Sequence, residues 1–424
     1  MSGPEVFQPL FPEGRALAPL LERAASLVTE GHRLSGQAGQ SLGAALRPRL
    51  RAMSSYYTNK IEGQHTRPAD IERALARVFD ADARQARKQR LALAHMEAEA
   101  ELEGRVSGVP GEAHAAMPGE AHAAMPGEAL STLPVETLYE PDFIRGIHAA
   151  LYRRLPETER VTEDGETVAP GAWRTEEVTA GRHLAPPPDE VAALMAAWGA
   201  RYRSLPGTEL AVVGLACAHH RLVWVHPFVD GNGRTARLHS HLVLHALGLS
   251  GGLWSPMRGL ARTHEAYYAR LSNADLPRRN DLDGRGPLSQ EELVAFAAYF
   301  LDTCLDQVGF MRGMLELGGL RARMADLLGY LAAHPWPVGS ERSVVKLEAL
   351  EAVHYTAIAG PVDRARFMAM TGLPERAARR VLASLIDFGL LTSATSRAPV
   401  AFAVPLASLR FLFPRLWPEA EAEG

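Results

Sequence analysis

The spacing of apolar and polar residues along this 424-residue chain predicts helices over most of its length. Apolar positions recur three and four residues apart over 17–28 and 40–53, where Ala, Leu and Arg are abundant. A break ending at Pro68 predicts a long helix that runs to about residue 103, because proline is favoured in a first helical turn. The same periodicity predicts helices over 140–154, 191–203, 209–225, 233–247, 262–274 and 289–314. Because strands form a minority, the predicted fold class is mainly α.

Two stretches interrupt this helical pattern. The octapeptide GEAHAAMP at 111–118 is repeated at 119–126, and its low complexity predicts a surface linker over 105–134. Its histidines, His114 and His122, have no cluster of carboxylates or cysteines beside them, so we do not expect them to bind a metal. Periodicity also disappears between 162 and 188, where short extended runs before a proline block predict a β-hairpin.

The pattern changes after a connector at 335–340. Helices are predicted over 344–354, 364–370 and 375–388, the last two joined by the turn Thr371-Gly372-Leu373-Pro374, with an alternating segment at 400–404. This order predicts a winged helix-turn-helix. We therefore expect four regions: an N-terminal helical region (1–104), the linker (105–134), a central domain (135–316) and a winged helix-turn-helix domain with its connector (317–424).

Composition narrows the class of protein. With 47% hydrophobic and 22% charged residues the chain can bury a sizeable core, and its net charge of -4 does not by itself predict nucleic-acid binding. Cys217 and Cys304 lie in apolar helical segments without metal-ligand spacing, which favours free thiols in a reducing compartment. Because no apolar run of about eighteen residues and no secretion signal is evident, we expect a cytoplasmic protein without a membrane partner.

The segment HPFVDGNGRTAR at 226–237 concentrates ionisable groups in one loop and one helical turn. A histidine such as His226 accepts a proton near neutral pH. Asp230 offers the hard oxygen ligand that Mg²⁺ prefers when it bridges to a nucleotide. For any one of these residues a solvated surface turn is the alternative, but the set at these spacings predicts a phosphate-handling site.

The rest of the segment fits the same chemistry. Gly231 and Gly233 allow backbone angles and close approach that a side chain would forbid, so that amide groups can face an anion where the next helix begins. Arg234 and Arg237 are three residues apart and lie on one helix face. Both guanidinium groups can therefore reach the same polyphosphate.

The segment resembles the signature H-x-F-x-[D/E]-G-N-G-R-x-x-R of the Fic family, with every defining position filled. The resemblance extends, in order of elements, over roughly residues 45–316. It implies a Fic-type helical bundle with a small β-hairpin flap, here followed by the winged helix-turn-helix. It also implies transfer of AMP from ATP, with Mg²⁺, to a Ser, Thr or Tyr hydroxyl of a protein target or of the chain itself.

The resemblance assigns roles by position. His226 would take the proton of the target hydroxyl, Asp230 would hold Mg²⁺ on the α- and β-phosphates, and Phe228 would be buried to anchor the loop. The remaining signature residues would bind the nucleotide phosphates: Gly231, Asn232, Gly233, Arg234 and Arg237. Tyr267 and Tyr268, in the next helical segment, would line a base pocket, although core packing explains them equally well.

An upstream segment matches the inhibitory pattern [S/T]-x-x-x-E-[G/N] of the family through Thr58, Glu62 and Gly63. The resemblance implies that Glu62 pairs with Arg237 and occupies the fork that the γ-phosphate requires, which would make the enzyme autoinhibited. The alternative is a glutamate before a glycine that simply ends a helix. Removal of AMP by a water positioned at Glu62 stays open as a second activity.

Partners are less well defined by the sequence. The hairpin over 171–184 corresponds to the family's flap, on which a target segment would dock by strand addition; an exposed hairpin without a ligand is the alternative. His219 occupies a position where the family often has a histidine, and we interpret it as a packing residue. The target, the choice between monomer and homodimer, and the means of releasing the inhibition are left open.

Two other functions compete with AMP transfer. Some relatives move phosphate or phosphocholine, but the intact Gly-Asn-Gly-Arg and the second arginine favour ATP and AMP transfer. The other alternative is a nucleotide-sensing transcriptional regulator that binds DNA through the C-terminal winged helix. There Arg376, Arg379 and Arg380 would face phosphates, although they are equally explained as a solvated helix face.

Overall fold

The computed structural model describes residues 3–106, 133–162 and 164–421. Most of the predicted linker, with His114 and His122, lies outside these residues. The helices are α1 (Ala18–Ala38), α2 (Gln40–Ile61), α3 (Pro68–Leu75), α4 (Ala83–Val106), α5 (Pro141–Tyr152), α6 (Val191–Tyr202), α7 (Thr208–Val225), α8 (Asn232–Ala246), α9 (Met257–Arg262), α10 (His264–Ala274), α11 (Gln290–Met314), α12 (Leu317–Ala333), α13 (Leu350–Ala359), α14 (Arg364–Met370), α15 (Glu375–Asp387), α16 (Leu409–Leu412) and α17 (Pro418–Glu421). The prediction of a mainly α fold is confirmed.

The strands of the described residues are short and form antiparallel pairs. They are β1 (Thr179–Ala180) with β2 (His183–Leu184), β3 (Pro337–Val338) with β4 (Glu341–Arg342), and β5 (Leu391–Thr392) with β6 (Ala401–Phe402). The first pair is a hairpin with a two-residue turn that contains Gly181 at φ 63°. It occupies only the end of the predicted 171–184 segment, since residues 171–178 form no strand.

The chain divides into two compact units. The first comprises Met1–His32 and Ser54–Val308, and the second comprises Arg33–Met53 and Gly309–Gly424. In the first unit, α7 is buried around most of its circumference and packs against α6 and α8. Helix α8 also packs against α4 and α5, so the 226–237 segment joins the two central helices of this unit.

Several observed helices differ in their bounds from the predicted ones: α1 and α2 extend to Ala38 and Ile61, beyond the predicted ends at residues 28 and 53. The helix predicted from residue 68 to 103 is broken between α3 and α4, where Arg77 has a positive φ of 59°. The Asp82 carboxylate accepts hydrogen bonds from the amides of Arg84 and Gln85 at 2.9 and 3.0 Å and so caps the start of α4. The helix predicted over 262–274 corresponds to α10, which starts two residues later, and the short helix α9 before it was not predicted. The helix predicted to start at residue 344 starts at Leu350, after a 3₁₀ turn.

Helix α11 is long and apolar enough, by length and composition, to cross a membrane, with a mean hydropathy of 1.3 over one window of 18 residues. Half of that window is buried. The buried positions Leu293, Phe296, Phe300 and Cys304 recur three and four residues apart, which is the pattern of a core helix. A core helix passes the same test of composition, so the prediction that no membrane is involved stays a prediction.

In the second unit, α13, α14 and α15 precede the β5–β6 hairpin. The turn Thr371–Pro374 joins α14 to α15, and Val362 and Val400 pair through 2.8 Å backbone hydrogen bonds in both directions. Helix α15 buries an apolar face that includes Val381 and Leu385. This order of elements is compatible with a winged helix-turn-helix.

Candidate active site

His226 is the residue that directly follows α7 and forms its C-terminal cap. Its backbone lies in the left-handed region, with φ 48° and ψ 58°, and its amide donates to the Leu222 carbonyl at 3.2 Å. A non-glycine residue in this region is uncommon and is held there by its surroundings. The His226 side chain thereby leaves the helix at the start of the loop.

The chemistry of the His226 ring is set by its partly buried position. Nδ1 lies 3.2 Å from the Val223 carbonyl oxygen, so the tautomer that donates this hydrogen bond leaves Nε2 with a free lone pair. The pKa of His226 is lowered to about 4: burial is the main cause, His183 and Arg174 act in the same direction, and the Val223 carbonyl and Glu62 oppose the shift. The imidazole is therefore neutral at neutral pH and is able to accept a proton.

Phe228 and Asn232 close the loop on itself. The Phe228 ring is fully buried, and its amide and carbonyl pair with the Asn232 side chain at 2.9 and 2.7 Å. The Asn232 side chain is thus engaged in holding the loop. The family resemblance assigned a phosphate contact to Asn232, and the backbone amide of this residue lies in the first turn of α8.

His148 of α5 supports this loop and was not among the predicted site residues. Its imidazole stacks on Phe228, with centroids 3.9 Å apart and planes 4° apart. Nδ1 accepts from the Gly171 amide at 2.9 Å, which leaves Nε2 to donate to the Asp230 carbonyl at 3.1 Å. Burial lowers its pKa to about 4. A single histidine in an amphipathic helix gives no signal of such a role.

Asp230 is held by two side chains. Its Oδ2 accepts a 2.6 Å hydrogen bond from the Tyr152 hydroxyl and lies 3.0 Å from Nη2 of Arg234, which also donates to the Tyr152 hydroxyl at 2.6 Å. Burial alone would raise the pKa of Asp230, but Arg234 and the Tyr152 hydroxyl hold it below its ordinary value. The carboxylate is consequently ionised, and 29% of its side chain is exposed.

The Asp230 carboxylate fits the Mg²⁺ role that the sequence predicted. Its other oxygen, Oδ1, accepts from the Gly231 amide at 2.7 Å. A carboxylate has about four lone-pair sites, so these contacts leave room for one metal bond. Mg²⁺ is commonly held by one or two carboxylates together with water and substrate phosphates, and the partly exposed Asp230 can supply one such carboxylate.

The two glycines allow close packing at the start of α8. Gly231 has φ 80°, and a Cβ there would lie 2.6 Å from the Tyr152 ring. A Cβ on Gly233 would meet the Glu62 carboxylate and lie 2.9 Å from Nη1 of Arg237. The first intrahelical bond of α8 is that of Thr235 to the Gly231 carbonyl, so the three amides before it belong to the helix N-terminus, which attracts anions.

Arg237 is engaged by the end of α2. Its Nε donates to Thr58 Oγ1 at 2.8 Å, and its Nη2 donates both to the Thr58 carbonyl at 3.3 Å and to Glu62 Oε1. The Arg237 side chain is 1% exposed and that of Glu62 is 30% exposed. Burial alone would lower the pKa of Arg237, but Glu62 raises it above its ordinary value. Gly63, with φ 68°, turns the chain directly afterwards.

The two predicted base-pocket tyrosines have different surroundings. Tyr267 is buried, and its hydroxyl bonds to His219 Nε2 at 2.8 Å, while His219 Nδ1 lies 2.8 Å from Ser240 Oγ. This network packs α7, α8 and α10 together. Tyr268 is 43% exposed and donates to the Ile61 carbonyl at 3.1 Å. Of the two, Tyr268 is therefore the one available to a ligand.

A second cluster of ionisable side chains lies further along α8. His241 Nε2 is 2.7 Å from Glu103 Oε1 and 3.9 Å from Glu99 Oε1, and all three side chains are buried. The Nε2 atom of this buried imidazole is hydrogen-bonded to Glu103. These residues were not predicted, since their spacing on two helices far apart in sequence gives no motif.

Residues 138–244 match the model of the Fic/DOC family. The chain carries a Fic/DOC domain. That domain spans α5 to α8 and includes the whole 226–237 segment, with His148 and Tyr152. It does not include Thr58 or Glu62.

Curated relatives are similar to a short part of the chain. Protein adenylyltransferase Fic of Drosophila virilis is 35% identical over 111 residues, which are 24% of this chain and 23% of that protein. The Drosophila melanogaster protein of the same name is 38% identical over 90 residues, 21% of this chain and 18% of that protein. The similarity thus spans less than a quarter of the length of either relative.

Solved structures of Fic proteins align with more of the chain at lower identity. A Fic family protein from Desulfovibrio desulfuricans G20 has a TM-score of 0.48 and 17% identity, over 94% of this chain and 99% of that one. Fic-1 from C. elegans, residues 134–508, has a TM-score of 0.46 and 18% identity, over 71% of this chain and 75% of that one.

Proposed function

We propose that this protein is an autoinhibited protein adenylyltransferase, which transfers AMP from ATP to a Ser, Thr or Tyr hydroxyl. The observation that carries the proposal is the arrangement around the first turn of α8. A neutral imidazole at His226, an ionised carboxylate at Asp230 and two buried guanidinium groups are joined there by one loop. The names of the relatives of the Fic/DOC domain support the same reaction.

The proposed reaction balances without a covalent enzyme intermediate. The hydroxyl oxygen of the target attacks the α-phosphorus of ATP, while its proton passes to Nε2 of His226. The bond from the α-phosphorus to the bridging oxygen breaks, and pyrophosphate leaves. Arg234 and the amides at the start of α8 stabilise the negative charge on the phosphates. Bound at Asp230, Mg²⁺ would supply charge neutralisation to the α- and β-phosphates.

Inhibition follows from the position of Glu62. Its carboxylate lies against Gly233 at the N-terminus of α8 and pairs with Arg237, so one anion already occupies the positive end of the helix and the second arginine. A γ-phosphate would require the same guanidinium. Because the pair is largely buried, its attraction is offset by desolvation, and we assign it a regulatory rather than a stabilising role.

The decisive experiment compares wild-type, Glu62→Gly and His226→Ala proteins, incubated with α-labelled ATP and Mg²⁺ alone and with cell lysate. We expect Glu62→Gly to increase labelling strongly, because Arg237 is released, and Glu62→Gly/His226→Ala to abolish it. Glu62→Gln is the matched variant that keeps the shape of the side chain and removes its charge, and we expect intermediate labelling. If Glu62→Gly labels no more than wild type, the proposed inhibition is wrong.

Mass spectrometry of the labelled protein identifies the transferred group. AMP, phosphate and phosphocholine add different masses, so the measurement separates AMP transfer from the other reactions of a Fic-type site. Release of AMP from a labelled protein, with and without Glu62, tests the reverse activity. An added mass other than that of AMP would show that the site transfers a different group, and AMP transfer would be wrong.

A second candidate function is a nucleotide-sensing transcriptional regulator, which the order α13, α14, α15 and hairpin in the second unit favours. Arg376, Arg379 and Arg380 are exposed on α15, although Arg379 pairs with Glu375 at 2.6 Å and Arg380 with Glu341 at 3.1 Å. DNA binding would have to displace these two acidic partners. Salt-dependent binding to a promoter, weakened in Arg376→Ala, supports this function, and no binding at low salt removes it.

A further inference from the structure

Arg174 connects the loop that starts at His226 to both sides of the β1–β2 hairpin. Its Nε donates to the His226 carbonyl at 2.8 Å, and its own amide donates to the Pro227 carbonyl at 2.9 Å. Nη1 donates to the Glu176 carbonyl at 2.9 Å, before β1, and Nη2 donates to the Pro186 carbonyl, after β2. One side chain, 2% exposed, thus satisfies three backbone carbonyls from three places in the chain.

The planar guanidinium suits this position and a lysine does not. Arginine presents five N–H donors in a rigid fork, whereas the lysine ammonium is a point charge on a flexible stem. A buried carbonyl that loses its donor keeps the full cost of its desolvation. Because His226 lies in the left-handed region, its backbone needs outside contacts to stay there, and Arg174 supplies the one to its carbonyl.

We propose that Arg174 is a positioning residue, which holds His226 for proton acceptance and ties the hairpin to the same loop. The inference rests on the proposed function in assigning the proton to His226. The inference goes beyond the proposed function because it assigns one residue, Arg174, to hold both the β1–β2 hairpin and His226. A target segment paired with the hairpin would then be placed relative to His226 through Arg174, with no contact from Arg174 to ATP or to the reacting atoms.

The charge of Arg174 gives a further readout, the pKa of His226, which reports how close the two side chains lie and does not depend on the reaction. Among the groups that act on His226, Arg174 and His183 lower its pKa, and Glu62 raises it. Replacing Arg174 with a neutral residue removes a positive charge near the imidazole. The pKa of His226 should therefore rise in Arg174→Gln and stay low in Arg174→Lys, because lysine keeps a positive charge at this position.

The test uses the full chain with Glu62→Gly as the parent, and adds Arg174→Gln, Arg174→Lys or the control Arg145→Gln. Arg145 donates to the Gly171 carbonyl at 2.8 Å and lies 5.7 Å from the Trp173 ring centroid, so it supports the same segment through other contacts. Three kinds of measurement are made: the kinetics of self-labelling, which give kcat and KM for ATP, backbone hydrogen exchange over 175–186, and the NMR pH titration of the His226 ring.

We expect Arg174→Gln to lower kcat by about 10²-fold with KM for ATP unchanged, because small misplacements of reacting groups cost about this much. Exchange over 175–186 should accelerate, and the His226 titration should move to higher pH. Arg174→Lys should recover part of kcat, and Arg145→Gln should match the parent in all three measurements. If Arg174→Gln does not fold, Arg174→Lys is used in its place. In that case a kcat and a hydrogen exchange over 175–186 equal to those of the Glu62→Gly parent overturn the proposal.

Exchange and titration do not depend on the reaction. If the Glu62→Gly parent transfers no AMP, the proposed function fails, yet the two structural readouts still test Arg174. If Arg174→Gln exchanges and titrates like Arg145→Gln, the positioning role is wrong even where transfer is observed. A loss of kcat with an equal rise in KM for ATP would also overturn it, since Arg174 would then act on the nucleotide site.

Discussion

The ring of His148 lies flat against the ring of Phe228, with 3.9 Å between centroids and 4° between planes. The same imidazole bridges the Gly171 amide and the Asp230 carbonyl. The loop after α7 is therefore held from beneath by an uncharged ring, which must stay uncharged because Nδ1 acts as an acceptor. Protonation of His148 would break that acceptor bond and place a charge in the core.

From this contact we predict a stability that depends on pH. The pKa of His148 is about 4 in the folded protein, against 6.5 for an ordinary histidine. Between these values the unfolded chain binds a proton that the folded protein does not, so stability is complete above about pH 6.5 and is lost toward pH 4, by about 3 kcal/mol. Urea unfolding at several pH values measures the loss, and His148→Gln should remove part of it. His32→Gln, at an exposed position, is the control; an unaltered pH dependence in His148→Gln would contradict the assignment.

A second prediction concerns the pH dependence of transfer in the Glu62→Gly protein. Because burial lowers the pKa of His226 to about 4, the base is already deprotonated well below neutrality. The single-turnover rate should therefore be flat between about pH 5.5 and 7.5, with its acidic limb near or below pH 4. Because Glu62 raises the pKa of His226, its removal moves the acidic limb to still lower pH. A rate that halves near pH 6.5 would show that another group limits proton acceptance.

The signature segment could be identified from sequence because its chemistry is local. His226, Asp230, Arg234 and Arg237 are close in sequence, and a loop followed by a helix brings them together whatever the rest of the fold. Their assigned roles stay predictions. The helical class could also be predicted, since apolar residues three and four apart lie on one face of a helix and indicate an amphipathic helix.

The supports of the segment could not be identified in this way. His148 and Tyr152 are four residues apart on α5, so they share a face, but on periodicity alone such residues are ordinary core positions. Arg174 lies in a stretch without periodicity. Its three carbonyl partners belong to residues outside helices and strands, and two of them are more than ten residues away in the sequence. Side-chain caps such as that of Asp82 also end helices that the apolar pattern alone would continue.

A third prediction addresses the metal site through Tyr152. Its hydroxyl donates to Asp230 and accepts from Arg234, so it orients both the proposed Mg²⁺ ligand and a phosphate-binding arginine. In the Glu62→Gly parent, Tyr152→Phe should raise the Mg²⁺ concentration for half-maximal transfer by about 10- to 100-fold, as loss of a hydrogen bond to a metal ligand commonly does. Tyr139→Phe, at another buried tyrosine, should leave it unchanged. An equal change in both variants would mean that general destabilisation, and not the Asp230 contact, is responsible.

The fourth prediction separates two costs at Gly231. Its φ is 80°, which disfavours any side chain, and a Cβ there would lie 2.6 Å from the Tyr152 ring. Gly248 has a similar φ of 73° but open space around the position of its Cβ. Gly248→Ala therefore measures the backbone strain alone, expected to be about 1 kcal/mol, while Gly231→Ala adds the collision, expected to cost about 1–3 kcal/mol more. Urea unfolding of both variants gives the difference between their losses of stability.

Adding Tyr152→Leu to Gly231→Ala should recover part of this difference, because the colliding ring is gone. Equal losses for the two glycine variants would show that the tyrosine ring moves aside, and that contact with Tyr152 does not require glycine at position 231.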